Sequence, residues 1–321
     1  MDRAKRYHQS KIRNLKSKIF TKIYPVNIKN ENSNLPFNPY IVLIGGIIGV
    51  STGAVFARLA DAPALVTAAY RVGLAALILI PLAGWKAGDE LRRLSSRDIK
   101  LAMLAGLFLA LHFAAWISSL DYTAIANSVV LVNTIPLWVG LLTPLITGDR
   151  IPKPTVISIV FSVIGGSIIG FGDFATGGRA LWGDFLALAG AFSAAIYLLL
   201  GRNLRRKLSL LSYVAVCYGS AATVLWLAVL LLKLPITGYS TQTVAAFWAM
   251  ALISQILGHS SYNWALKWFS TGFIAVALLG EPIGSTILAY ILFDEGLTWL
   301  KLAGGLFIMS AIYLAALGER K

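Results

Sequence analysis

The chain holds a single cysteine, Cys217, and three histidines among 321 residues. One cysteine cannot close an intramolecular disulfide, so cysteine usage says nothing of redox compartment. Three histidines, with no HExxH or CxxC spacing, are too few for a His-rich metal site. No phosphate-loop string occurs, which argues against ATP as the direct energy source, and no cofactor is expected. Charge is scarce too. Only 13% of the residues are charged, where a soluble domain averages about 25%. Acids are the scarcest, 14 Asp and Glu against 28 Lys and Arg.

Apolar sequence fills the rest. The chain is 57% hydrophobic with a mean hydropathy of +0.74. From Pro39 onward, apolar runs of bilayer-spanning length alternate with short polar breaks. The runs predict ten transmembrane helices, at 40–58, 64–84, 99–120, 124–147, 154–171, 181–201, 210–232, 243–265, 270–293 and 299–317. The expected fold is therefore an all-α polytopic membrane protein. Prolines 136, 144 and 282 fall inside the fourth and ninth runs. Membrane helices tolerate them where neighbours or water satisfy the freed carbonyls.

Residues 1–38 differ from the body, being rich in Lys, Ile and Asn. They lack the apolar core and cleavage site of a secretory signal. A basic, disordered cytoplasmic tail is expected, with an organellar presequence or a misassigned start as alternatives. A basic excess can also mark a nucleic-acid binder. Here the placement of charge favours the membrane. With the N-terminus inside, 23 Lys/Arg fall on the inner side and four on the outer, Arg71 lying within a span. This bias supports N-in, C-in topology. The expected partners are a lipid bilayer and a small-molecule substrate, with no nucleic acid.

The chain also repeats itself. Pro136 is followed thirteen residues later by Asp149, and Pro282 thirteen residues later by Glu295. The offset of 146 also pairs Ser158 with Gly304 and Gly165 with Ala311, small residues suited to close helix packing. Five spans per half is an odd number, so the second half must enter from the opposite side. The expected units are two inverted five-helix repeats, 39–172 and 173–321. Such repeats place a substrate site near the bilayer midplane.

These features, and above all the stretch Glu281-Pro282-Ile-Gly-Ser-Thr-Ile-Leu-Ala-Tyr-Ile-Leu-Phe-Asp-Glu295, resemble the EamA-type transporters of the drug/metabolite transporter superfamily. The resemblance covers residues 40–318. It implies a multi-pass inner-membrane carrier, often an exporter of amino acids or related compounds. It also implies a cavity lined by the third, fourth, eighth and ninth helices, with the first and sixth nearby. The first helix departs from the family pattern, carrying Ser51-Thr52-Gly53 where an aromatic–Gly pair is common.

Polar groups inside the runs are the candidate site. Glu281 is the sole charge in Thr271–Phe293, and its counterpart at the offset is Ile135. It lies about 16 Å from the inner end of its helix. His112 is about 20 Å from an inner end, and Asn133, Gln255 and Arg71 about 14, 18 and 10 Å from outer ends. An intramembrane carboxylate suits amine binding or proton carriage, or a structural pairing with Arg71 or His112. Gln255, His259 and Asn263 form a stripe at i, i+4, i+8. That stripe suits a cavity wall or bundle-stabilising hydrogen bonds. Trp116 and Trp138 lie deep enough to offer cavity faces. The terminal Trp85, Trp182, Trp268 and Trp299 fit an interfacial belt.

The leading expectation is a secondary carrier of a small, zwitterionic or neutral metabolite. An intramembrane aspartyl-type protease is an alternative, because Gly170-Phe171-Gly172-Asp173 matches a GxGD string and Asp121 is a second acid. Both acids fall in outer loops on this topology. A non-transporting scaffold or sensor leaves the intramembrane charges unexplained.

Overall fold

A computed structural model describes residues 38–123, 125–146, 151, 153–171, 178–293 and 299–319. Asp149, Asp173 and Glu295 lie outside the described residues.

The described chain is helical, in order α1 (Pro39–Ser51), α2 (Gly53–Leu59), α3 (Ala64–Lys86), α4 (Gly88–Arg92), α5 (Ser96–Ser119), α6 (Ile125–Val132), α7 (Ile135–Ile146), α8 (Lys153–Phe171), α9 (Gly178–Arg205), α10 (Leu210–Leu231), α11 (Thr241–Ala249), a π-helical segment (Met250–His259), α12 (Ser260–Ala265), α13 (Thr271–Ala277), α14 (Gly280–Phe293) and α15 (Trp299–Glu319). Serine caps begin four of these. Ser95, Ser209, Ser240 and Ser270 accept the backbone N–H of Asp98, Ser212, Thr243 and Phe273 at 3.1 to 3.2 Å. Each satisfies a donor that the first helical turn leaves orphaned.

Eight helical stretches among the described residues are long and apolar enough to cross a membrane. Shorter apolar stretches, Lys153–Gly165 and Leu302–Ala315, lie where the fifth and tenth spans were expected. The bundle's outer surface is apolar, with Ile41, Ile48, Leu231 and Ile291 all at least 65% exposed. That is a lipid-facing surface, not an aqueous one. Trp85 and Trp299 stand exposed at helix ends, where amphipathic rings sit at headgroup level.

Three of the expected continuous spans are interrupted. The fourth breaks at Asn133-Thr134 and the ninth at Leu278-Leu279. Both breaks sit two to four residues before a proline, Pro136 or Pro282. A proline has no N–H for the carbonyl four residues back, so Val132 and Leu278 lose their usual partners. Tighter turns fill the gap. Thr134 N bonds Leu131 O at 3.1 Å, and Glu281 N bonds Leu278 O at 2.9 Å. The first span is interrupted at Thr52, whose hydroxyl bonds Gly49 O at 2.7 Å and meets Ser254 Oγ at 2.9 Å.

The helices pack in a definite order. α5 runs along α9, α8 along α15, and α10 lies against α3 and α5, while α1 lies against the π segment, α12 and α14. The α8–α15 contact uses small residues. A Cβ placed on Gly165 would stand 2.8 Å from Gly304 O and 2.9 Å from Phe307 Cβ. Ser158 and Ala311 are fully buried in the same seam. Dispersion between closely approaching backbones holds helices together where lipid removes the hydrophobic drive.

Candidate functional site

Arg71 projects from the second turn of α3 and is 1% exposed. Its charge is held on several sides. Nε donates to Gln255 Oε1 at 3.0 Å, and Nη2 makes a long contact of 3.5 Å to Ser254 O. The guanidinium also lies over the Phe113 ring at 4.1 Å from its centroid, with the Trp116 ring at 5.8 Å. Cation–π attraction of this kind strengthens when water is excluded. Nη1 has no hydrogen-bond partner.

α5 supplies His112 and Trp116. The Gly190 carbonyl is 3.0 Å from His112 Nδ1. A carbonyl can only accept, so Nδ1 is the protonated nitrogen and Nε2 is left available. The His112 ring lies nearly parallel to Trp116, with 6.0 Å between centroids, and 6.3 Å from the His259 ring. His259 in turn packs on Phe113 at 4.9 Å and bonds through Nδ1 to the Tyr262 hydroxyl.

Glu281 sits in the first turn of α14, immediately after the break in the ninth span. A helix start is the favourable end for negative charge. Asn133 occupies the break in the fourth span. Its amide donates to Val129 O at 2.8 Å, not to the Val132 carbonyl that Pro136 leaves free.

Arg71, His112, Trp116, Asn133, His259 and Glu281 line one cavity, with Val50, Ile135, Tyr197, Tyr262 and Leu278 completing much of its wall. The cavity between these atoms is narrow, about 20 Å³, room for little more than a water molecule. Six of the nine residues expected from the sequence therefore meet in one place. The whole lining comes from the first, second, third, fourth, sixth, eighth and ninth spans, so the second span adds to the set implied by the family resemblance.

The other three stand behind that wall. Gln255 is fully buried and reaches the cavity only through Arg71. Asn263 is fully buried and donates to the Tyr197 and Tyr218 hydroxyls. Trp138 packs edge-on against Phe192 with 5.3 Å between centroids. The π segment explains why the stripe divides. Its i→i+5 bonding widens the winding between Gln255 and His259, so residues four apart no longer share one line.

Tyr197 and Tyr262 are cavity residues that the sequence reading missed. Tyr262 lies one position off the polar stripe, and Tyr197 is a lone phenol in an apolar helix. Their signal was a hydroxyl deep inside a membrane-length run, where a partner is needed. Ser285, on the same helix face as Glu281, instead donates to Ser51 O at 3.0 Å. Asp121 is exposed at the end of α5, so it brings no second carboxylate to Glu281. Among the described residues no cluster of three metal-ligating side chains occurs.

A family model described as "EamA-like transporter family" matches this chain twice, at residues 38–171 and 181–317. An "uncharacterized transporter" of Archaeoglobus fulgidus is 25% identical over 253 residues, covering 76% of this chain and 85% of its own. A second uncharacterized transporter of the same organism is 22% identical over 228 residues, covering 70% and 79%. A solved crystal structure superposes with a TM-score of 0.70 at 18% identity, covering 88% of this chain and 98% of its own. That last likeness concerns the fold alone.

Proposed function

Starting from the fact that this chain belongs to the EamA-like transporter family, we propose that it is a secondary carrier exporting a small zwitterionic or neutral metabolite across the inner membrane. The halves rock about the central cavity. Glu281 takes either the ligand's amine or a coupling proton, and the histidines and aromatic rings shape the pocket.

The observation that carries this reading is the cavity itself. Arg71, His112, His259 and Glu281 come from four different spans of an apolar bundle and converge on one space. Ionisable side chains are costly in lipid and mark substrate or ion pathways there. Broken helices at the cavity are a recurring device of carriers, because helix ends and unwound backbone can bind ligand groups.

Packing supports two related, inverted halves. Each helix within 38–171 can be exchanged for its counterpart within 181–317. The α5–α9 contact then becomes the contact of the eighth span with α1. The α6/α7–α9 contacts become α14–α1. The α3–α10 and α8–α15 contacts map onto themselves. Five helices per half and the Lys/Arg bias support N-in, C-in orientation.

The test is counterflow. The full-length protein is reconstituted into liposomes preloaded with a metabolite that stabilises it against heat, since a true ligand shifts the folded state by mass action. Transient accumulation of the labelled compound is expected. Absence of any stabilising metabolite together with absence of counterflow would sink the carrier reading.

A further inference from the structure

Among the described residues Arg71 is the one Lys or Arg lining the cavity, and its donors are not all used. Nε is committed to Gln255 and Nη2 to Ser254 O. Nη1 is buried with no partner, and so is Trp116 Nε1 on the same wall. A buried donor left unpaired costs about 1–3 kcal/mol, more when it carries charge. Neither group is short of supporting structure. Phe113 backs the guanidinium at 4.1 Å, and Gln255 fixes its orientation.

Gly53 lets the first span pack closely against Arg71 Nη1 and the Trp116 ring. A Cβ there would lie 3.2 Å from Arg71 Nη1 and 3.4 Å from Trp116 Cη2. Glu281 faces the same cavity, and among the described residues no direct ion pair joins it to Arg71. The cavity thus holds a cation and an acid that do not satisfy each other directly.

We propose that Arg71, with Trp116 Nε1 as a second donor, is an anion subsite for a carboxylate of the transported molecule, while Glu281 takes its ammonium group. The ligand class is a compact zwitterion with one carboxylate and one amine. One guanidinium suits a singly charged planar carboxylate. A dianion such as a phosphate monoester would meet one cation and be repelled by Glu281. The inference rests on the carrier reading of the same cavity and narrows it.

The test is equilibrium binding to the purified full-length protein in detergent. The probes are alanine, leucine and phenylalanine, each beside its carboxamide. At least one amino acid is expected to bind about 10- to 100-fold tighter than its amide, the range for a charge-assisted hydrogen bond. Arg71→Gln should weaken the acid far more than the amide and bring the two to a similar level. Because Arg71→Gln also strands Gln255, Trp116→Phe serves as a milder variant. It should narrow the acid–amide ratio severalfold with an unchanged size-exclusion profile. Equal binding of acid and amide, a ratio that neither variant alters, or no acid binding below about 10 mM would overturn the subsite. Flux without acid–amide discrimination removes the subsite and keeps the carrier. Acid-selective binding without flux does the reverse.

Discussion

Gln255 shows how a residue outside the cavity governs one inside it. Its Oε1 accepts from Arg71 Nε, so Gln255→Ala leaves a buried guanidinium N–H unpaired. The expected cost is about 1–3 kcal/mol, read as a lowered melting temperature in detergent, with Gln255→Glu restoring the acceptor. An unchanged melting temperature in Gln255→Ala would show that Arg71 finds another partner. Gly53 is the second such position. Alanine there must displace Arg71 Nη1 or Trp116 by a few tenths of an ångström, so Gly53→Ala is expected to cut transport severalfold while the protein still folds. Full flux from Gly53→Ala would contradict the role given to that close packing. At this scale the sequence was informative about depth and poor about direction. Rise per residue placed Glu281, His112 and Asn133 at compatible depths. It could not say that Trp138 turns toward Phe192 or that Asn263 turns toward Tyr197 and Tyr218. Those choices depend on neighbours far away in sequence.

The elements carry their own lesson in the broken helices. Pro136 and Pro282 were visible as letters, and their positions told where carbonyls would be freed. That the chain responds with a full break, and so puts Glu281 at a helix start, needed the coordinates. The π segment was illegible for a related reason. Its residues, MALISQILGH, carry no mark that separates π from α winding, and the segment packs against α1 and α3, elements distant in sequence. A second element-level feature lies outside the spans. Glu90 on α4 accepts Ser209 N–H at 2.7 Å and Ser212 Oγ–H at 2.8 Å, tying α4 to the start of α10. Partial burial pushes its carboxyl upward, but the bonds from Ser209 and Ser212 outweigh that and hold it below the usual carboxylate range. A depressed folded-state pKa contributes stability above the unfolded value, about 4.3, that is lost as pH falls through the folded value. The melting temperature should therefore drop on acidification below about pH 5, with a shallower drop in Glu90→Gln. Identical acid limbs would show that Glu90 is not linked to folding. The effect should be small, because the carboxyl is largely solvent-screened.

For the whole molecule, the all-helical, membrane-spanning character was the most legible feature, and eight helical stretches among the described residues are long and apolar enough to cross a bilayer. It depends on run length and hydropathy, both local properties of the chain. The closed state of the cavity was not legible, since it depends on seven spans meeting at once. Its narrow gaps fit the proposed rocking of the halves, in which a metabolite enters when they separate. The central claim is that Glu281 is a working group of that cavity and not a structural charge. It is tested most directly by flux of one counterflow substrate in matched proteoliposomes bearing wild-type protein or Glu281→Gln, across external pH and with an imposed pH gradient. The account predicts equal reconstitution and fold, with transport by Glu281→Gln lowered at least about 10-fold, the loss of one charge-assisted contact. Wild-type flux from Glu281→Gln at every pH would contradict it.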